Sequence, residues 1–353
     1  MGTRTRRPIT PHEDYGFFGP ESVTWRVWSY PTSLTVGFQR SVVIEELDPA
    51  LIAAVDATRA IRDRPRTRYD RTLRYFAMVA FGDSRSTSKA ADVLVKIHSK
   101  AIGIEPGSGQ PYDANDPKSQ LWIHLTACHS ILYAYEKYGP GKLSAADEAQ
   151  YWHECAVGAE LQTCDPADVP LTREGVQQYF EQMRPQLVGS EAARSTMDHL
   201  LHADIMLPPL PRALRPAGWI VSRVLRAATI ATMPHWMREM SDLHQPKFVD
   251  AAITPLMKTT FWVTQLNSRF MLAMLRQLSP ATVPVVAPIL RNVNPVNPVV
   301  RTPAEARELY GYDAPAQAHL EWRAKQHDRV FLEHRAPSDA GLVESEPILG
   351  SMA

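Results

Sequence analysis

The sequence predicts an all-α fold, in which one large helical domain is followed by a Pro-rich C-terminal extension. Apolar residues recur at helical spacing through most of the first 277 positions. Several of these runs follow a Ser, Thr or Asp whose side-chain oxygen can accept from the free amides of a first helical turn. Alternation of apolar and polar residues persists nowhere, so no substantial β-sheet is expected.

Composition narrows the class of protein. With 353 residues, the chain can bury a substantial core in one large or two medium domains. Lys and Arg together number 38, as do Asp and Glu, and this balance argues against a nucleic-acid binder. The cysteines Cys128, Cys155 and Cys164 form no CxxC pair, which predicts reduced thiols in a cytoplasmic protein.

No segment has the pattern of a signal peptide or a transmembrane helix. The basic start MGTRTRRPITPHEDYG lacks a following apolar region, and no uncharged apolar run reaches eighteen residues. The nearest candidate is 217–233, which Arg223 and Arg226 interrupt. This stretch predicts a buried or amphipathic helix, whose surface could meet apolar ligands or the face of a membrane.

The first elements follow from caps and breaks. Ser22 can cap a short helix through Trp28, and Asp48 with Pro49 opens the second of two helical pieces within 41–61. A helix from Arg68 ends at Gly82, and the next begins at a Ser84 or Ser86 cap and includes His98. The Gly/Pro/Asn segment 105–117 is predicted to be a loop, since it lacks a phosphate-binding pattern.

Further helices continue the same pattern. Asp116, Ser144 and Thr172 are the predicted caps of the next three, and less well bounded helices follow from 190 to about 277.

The division of the chain follows from a change in composition. Residues 1–15 are predicted to be a disordered leader and 16–277 the helical domain. From 278 to 353 we expect an extension that wraps around the core or mediates homo-oligomers. Its Pro-rich beginning is predicted to exclude an internal helix. Short helices are expected at 303–310 and 315–334, followed by a flexible tail.

Most catalytic motifs are missing, which leaves the histidines. The chain has no GxSxG, no HExxH and no Glu-x-x-His pair for a di-iron centre. Arg68, Arg71 and Thr72 lie within one helical turn, and His98 follows on the next helix. Two cations and an imidazole suit a porphyrin, with the cations for its propionates and the imidazole for its iron. Two core helices carrying a structural His would produce the same pattern.

The remaining histidines offer less. His124 and His129 are five positions apart, a poor spacing for a shared metal on one helix face. His153 is interpreted as a solvated or capping residue. Plain surface positions are predicted for the histidines of the leader and the extension, which are His12, His319, His327 and His334.

Several separated blocks, in this order, resemble one family: FGPESVTWRVW, RTLRYFAMVAFG, KIHSKAIG, PYDANDPKSQLWIHLT, AYEKYG and LSAADEAQYW. They are similar to the mpaB-type oxygenases, which share their catalytic domain with the rubber oxygenases (latex clearing proteins). The resemblance covers roughly residues 17–245. It implies an all-helical domain around a b-type haem, whose iron uses dioxygen to cleave double bonds in isoprenoid or similar apolar substrates.

The resemblance also implies site residues. The latex-clearing branch has an Arg-x-x-Lys-Thr element before its proximal His, and Arg68 to Thr72 match it here. By this analogy His98 is the axial iron ligand, and Arg68 and Thr72 support the site and a propionate. Arg71 replaces a lysine that can close the distal side, a task that suits guanidinium poorly. His124 lies in another matching block, near the haem or as the axial ligand under a shifted alignment.

Two departures keep other functions open. Asp48 and Trp28 stand where many relatives have His, so fewer polar side chains are expected near the cofactor. Either the substrate and chemistry differ or catalysis is weakened. The alternatives are a non-catalytic haem or lipid binder, and a haem-free helical scaffold that forms oligomers through its extension.

Overall fold

The computed structural model describes residues 9–105, 109, 111–202 and 210–338. The helices of the first half are α1 (Val23–Trp28), α2 (Phe38–Ile44), α3 (Pro49–Thr58), α4 (Ala60–Asp63), α5 (Pro65–Phe81), α6 (Ser84–His98), α7 (Pro117–Tyr138) and α8 (Ala145–Ala159). The second half contains α9 (Arg173–Met183), α10 (Glu191–Leu200), α11 (Arg215–Thr232), α12 (His235–Met240), α13 (Lys247–Gln265), α14 (Ser268–Leu278), α15 (Val283–Leu290), α16 (Pro303–Tyr310) and α17 (Pro315–His327). Shorter 3₁₀ or π-helical turns are Ser33–Gly37, Glu45–Leu47, Pro166–Asp168, Arg184–Gln186, Arg212–Leu214 and Asp328–Leu332.

The prediction of an all-α fold is confirmed. Within the described ranges the sheet content is one antiparallel pair, β1 (Ile102–Ile104) and β2 (Pro111–Asp113). Ile102 lies opposite Asp113 and Ile104 opposite Pro111. Strand β2 falls in the segment predicted to be a loop. Its three residues are too few to establish an alternating pattern in the sequence.

Local capping explains where many helices begin. The Asp48 carboxylate accepts the amides of Ala50 and Leu51 at 2.8 and 2.9 Å, as predicted. Asp116, Ser144 and Thr172 cap α7, α8 and α9 in the same way. These caps act within three residues of their own position, so the sequence alone identifies them.

The cap of α6 differs from the prediction. Asp83 accepts the amide of Ser86 at 2.8 Å, so neither Ser84 nor Ser86 is the N-cap. Ser84 instead donates its hydroxyl to Asp14 at 2.5 Å and its amide to the same carboxylate at 2.8 Å. A contact seventy positions away thus replaces the local one.

The predicted disordered leader is wrong for residues 9–15, and residues 1–8 lie outside the described ranges. Asp14 is 1% exposed and accepts from Arg301 at 3.1 Å. The Tyr15 amide donates to the Val299 carbonyl at 3.0 Å. The basic composition gave no sign of this pairing, because its partner lies almost 300 residues away.

The core is built around α7, which is buried on most of its surface. Trp122, Leu125 and Ile131 are fully enclosed, and α2, α8 and α13 pack around the helix. A helix that is apolar on nearly all sides belongs at the centre of a domain. Helix α5 adds Leu73 and Phe81 to the same core.

The extension packs on the core. Helix α15 lies against α5, and α16 and α17 lie against α6. The expectation that this Pro-rich region excludes an internal helix is wrong, because α15 contains Pro284 and Pro288. Pro284 lies in the first turn, where an amide needs no helical partner, and Val286 anchors the helix in the core. The predicted tail lies mostly outside the described residues.

His319 of α17 is also not the surface residue that was predicted. It is 1% exposed, and neither ring nitrogen has a hydrogen-bond partner among the described residues. Burial lowers its pKa, so the ring is neutral. Packing of α17 on α6 encloses it, and the charged sequence of α17 did not reveal that contact.

Candidate functional site

One helix, α5, lines two separate cavities. Its first half contributes Arg68 and Thr72 to a cavity that also contains residues of α2, α4 and α10, which we call the Arg68 cavity. Its second half contributes Phe76 and Val79 to a cavity shared with α7 and α8, which we call the His124 cavity. These four positions follow the three- and four-residue spacing of one helix face. The helix therefore connects the predicted polar residues with an apolar wall.

Two buried carboxyl groups in the Arg68 cavity were not predicted from the sequence. Glu45 and Glu46 lie in the turn after α2, and one oxygen of each, Oε2, is enclosed without a hydrogen-bond partner among the described residues. Burial raises the pKa of Glu45 to about 8, although the Arg68 cation opposes the shift. Burial, together with Glu45, raises the pKa of Glu46 well above its usual value. With a pKa of about 8, Glu45 holds a proton at neutral pH.

A sequence signal for this pair existed. Glu45 and Glu46 interrupt the apolar run VVIEEL, whose other residues are almost entirely buried. Burial of two adjacent carboxyl groups costs free energy, so such a pair in an apolar run indicates a functional site or a cation nearby.

Arg68 supplies that cation. Its side chain is exposed to the cleft, and no hydrogen bond or ion pair within the described part of the chain occupies the guanidinium. The Thr72 hydroxyl also faces the cavity and donates to the Arg68 carbonyl at 2.9 Å. The predicted pairing of Arg68 with Thr72 on one surface is therefore present. Arg71, by contrast, is not among the residues that line this cavity.

His98 ends α6 near Arg68. The ring is half-buried, and no hydrogen bond joins it to any group in the described ranges. Burial, reinforced by the Arg68 cation, lowers the pKa of His98 to about 3. The imidazole is therefore neutral at physiological pH, with a nitrogen lone pair that no described donor uses. A metal ligand needs both properties.

His124 has the opposite environment. It is 4% exposed on α7, and its Nε2 lies 2.7 Å from the Cys155 carbonyl oxygen, to which it can only donate. Its Nδ1 lies 3.0 Å from Nε2 of Gln162, whose amide is the donor. Because both ring nitrogens are engaged, His124 would have to lose a hydrogen bond before binding a metal.

The cysteines lie beside His124. All three are free, as predicted, and all three are buried. Sγ of Cys128 lies 3.7 Å from His124 Nε2, and the Cys128 thiol hydrogen-bonds to Cys155. The neighbouring pair is therefore Cys128 with Cys155. Within the described residues, no group of three or more His, Cys, Asp or Glu side chains could hold a metal ion.

A third cavity meets the His124 cavity at Trp28, whose side chain lines both. Its walls are mostly apolar and include Met271 and Leu278 of α14 and Leu290 of α15. The Trp28 ring packs on Phe76 with 6.2 Å between centroids. A large indole thus separates two apolar spaces at a position where an imidazole had been expected from the resemblance.

The comparisons agree with this architecture. The family model described as "ER-bound oxygenase mpaB/B'/Rubber oxygenase, catalytic domain" matches residues 25–266, more than half of the chain. This segment includes all residues that line the Arg68 cavity and most of those that line the His124 cavity. No curated protein matches the chain, and no solved structure does. The matched segment is long enough to establish the family: the chain belongs to the mpaB and rubber oxygenase catalytic-domain family, a family of oxygenases.

Proposed function

We propose that the protein is a haem b-dependent oxygenase that uses dioxygen on an apolar, isoprenoid or lipid-like substrate. Its family supports an oxygenase role. The observation that carries the haem proposal is His98, a neutral imidazole with no hydrogen-bond partner in the described ranges, close to the unpaired Arg68 cation. Axial ligation by a neutral His and pairing of propionates with Arg are the ordinary protein contributions to a haem site.

The side chains of the Arg68 cavity can make the contacts that a haem needs, but the cavity is too small to hold one. Arg68 and Thr72 can bind a propionate, and the raised pKa values of Glu45 and Glu46 reduce the negative charge that would repel it. The Arg68 cavity, however, has a volume of only about 40 Å³, room for a few water molecules. Haem binding therefore requires the walls of this cavity to separate. When bound, the haem would supply the iron at which dioxygen is activated.

Residues of the chain would then have separate roles in the reaction. His98 would hold the iron through its free nitrogen lone pair, and Arg68 would pair with a propionate. Glu45 holds a proton at neutral pH and can deliver it within the cavity. Phe76 and Val79, on the same face of α5, would offer an apolar surface to an alkene in the neighbouring His124 cavity.

The test is haemin titration of the purified full-length protein and of His98→Ala, His124→Ala and His153→Ala. Wild type should develop an intense Soret band with one haem per chain in a pyridine haemochrome assay. His98→Ala should lose or shift the band, whereas His124→Ala should keep its position. His153 is exposed, so its variant controls for removal of an imidazole. Loss of the band only in His124→Ala would reassign the ligand, and a protein that stays colourless would refute haem binding.

A non-catalytic haem or lipid binder is the second candidate. Asp48 caps α3, and Trp28 fills the space between two cavities. Neither side chain therefore takes over the role of an imidazole that would contact a reacting oxygen. This candidate predicts spectral binding of haem without oxygen consumption. Sustained oxygen uptake with a polyprenyl alkene, measured by an electrode, would exclude it.

A further inference from the structure

The exposed apolar side chains of the protein are concentrated on three helices. Eight of the nineteen large apolar residues that are exposed in the described ranges lie on α11, α13 and α14, and two more, Leu214 and Leu266, directly flank α11 and α13. On α11 these include Trp219 and Ile220, which are 60% and 55% exposed, and on α13 they include Trp262 at 57%. Soluble proteins rarely leave such a set uncovered without a partner.

The three helices that carry these residues are in contact with one another. The Gln245 side chain donates to the Ala227 carbonyl at 3.0 Å, so the end of α11 lies at the start of α13. Helices α11 and α13 also pack on each other, and α14 packs on α13. Trp219 and Trp262 therefore lie on helices that are direct neighbours. Helix α14 adds Phe270, which is 50% exposed.

The same helices are strongly basic. Together α11, α13 and α14 contain seven cations and one acid, Asp250, whereas the whole chain is balanced at 38 and 38. Asp250 is already paired with Arg238 at 2.8 Å. Six of the cations are exposed and have no ion pair within the described part of the chain: Arg215, Arg223, Lys247, Lys258, Arg269 and Arg276. Arg223 lies over the Trp219 ring, 5.3 Å from its centroid.

We propose that this α11–α13–α14 face docks on the surface of a lipid bilayer that contains anionic lipids. Exposed tryptophans among aliphatic side chains suit the boundary between headgroups and acyl chains, and Lys and Arg suit the anionic headgroups. No helix in the described ranges is long and apolar enough to cross a bilayer. The face therefore lies on the bilayer rather than spanning it.

Charge distinguishes a bilayer from a second copy of the chain. A twofold dimer would bring the same surface of both copies together, so the six exposed cations would face six others. Facing like charges oppose association. An anionic bilayer supplies the complementary charge, and its interior accepts the apolar side chains.

Docking would also give the third cavity a source of ligand, a consequence that rests on the proposed function. Thr264 of α13 and Met271 and Leu278 of α14 line that cavity, so the docking helices are also its wall. Apolar substrate could pass from the bilayer towards Trp28 without crossing water. Docking itself needs neither haem nor turnover, so its test is independent of the oxygenase proposal.

The experiment is cosedimentation of the full-length protein with vesicles of phosphatidylcholine, with and without phosphatidylserine. We expect binding to the mixed vesicles, little binding to pure phosphatidylcholine, and release at high salt because surface attraction is screened. Equal binding to both compositions, or none, would overturn the proposal.

Variants separate the two components of docking. Lys258→Gln with Arg269→Gln should weaken binding about twenty-five-fold, at about fivefold for each cation. Trp219→Ala with Trp262→Ala should weaken it about tenfold or more for each indole removed. The matched control is Trp322→Ala on α17, where Lys325 lies over the ring in a similar arrangement. Unchanged binding in the first two variants would refute the assigned face.

Light scattering completes the test. If the α11–α13–α14 face covers a second copy instead, the wild-type protein will be a dimer without lipid, and the double tryptophan variant will be a monomer. That result would overturn the bilayer proposal. A wild-type mass that does not change in the double tryptophan variant supports it. Circular dichroism of each variant checks that the helical fold is intact.

Discussion

Replacing Glu45 by Gln should stabilise the protein at neutral pH. Glu45 faces the Arg68 cavity with one oxygen enclosed and unbonded, and burial raises its pKa from 4.5 to about 8. The folded protein therefore keeps a proton on this group, whereas the unfolded chain releases it above its usual pKa. Because the unfolded state then binds fewer protons, the free energy of unfolding falls as the pH rises from about 4.5 to about 8.

The size of the effect follows from this shift. Each pH unit between the two pKa values costs about 1.4 kcal/mol of stability for this group. From pH 4.5 to pH 7, the cost reaches about 3 kcal/mol as an upper value. The neutral amide of Glu45→Gln has almost the same shape but no such penalty. The variant should therefore match wild type near pH 4.5 and be more stable by up to about 3 kcal/mol at pH 7.

Urea unfolding followed by circular dichroism, at several pH values between 4.5 and 8, measures this difference. Glu21→Gln is the matched control, since the same chemical change occurs at an exposed position. If the stability curves of wild type and Glu45→Gln run parallel with pH, the proposed burial of a protonated Glu45 is refuted. A gain in stability accompanied by a loss of oxygenase activity would fit a proton-holding role in the cavity.

Three further substitutions test the framework around the site. Asp14→Ala removes the buried partner of Arg301 and should lower the free energy of unfolding by about 3 kcal/mol, measured in urea at pH 7. Gly16→Ala should reduce the yield of folded protein sharply, because Gly16 has a φ of 70° and a Cβ there would lie 2.1 Å from the Gly82 carbonyl oxygen. Trp28→Ala should cost about 3–5 kcal/mol in unfolding experiments, yet bind an apolar fluorescent probe more tightly, because it joins two apolar cavities. Unchanged stability in the first, normal yield in the second or unchanged probe affinity in the third would contradict the corresponding contact.

Sequence reasoning succeeded where the physical cause is local. The α5 helix was predicted from Arg68 to Gly82, and its true start at Pro65 is a difference of one turn. Helix period and side-chain caps depend on residues three or four positions apart, so both can be read from a single chain. The all-α class followed from the same signals.

Tertiary contacts account for the failures. His319 is buried because α17 lies on α6, and Asp14 is buried because Ser84 and Arg301 converge on it. In both cases the groups that bury the residue lie far away along the chain, well beyond one helical turn. For Glu45, the adjacent acids in an apolar run were a usable warning, but the cavity they face is formed by four helices.

The two candidate histidines show how far a sequence can go towards a ligand assignment. His98 and His124 both lie on apolar helices and in blocks that resemble the same family, so the pattern treats them alike. Their surroundings differ: Cys155 and Gln162 occupy both nitrogens of His124, whereas His98 has neither partner and is held neutral near Arg68. An unpaired imidazole in a partly buried position gives up stability unless a ligand uses it. This cost, more than the resemblance, is why we propose His98 rather than His124 as the iron ligand.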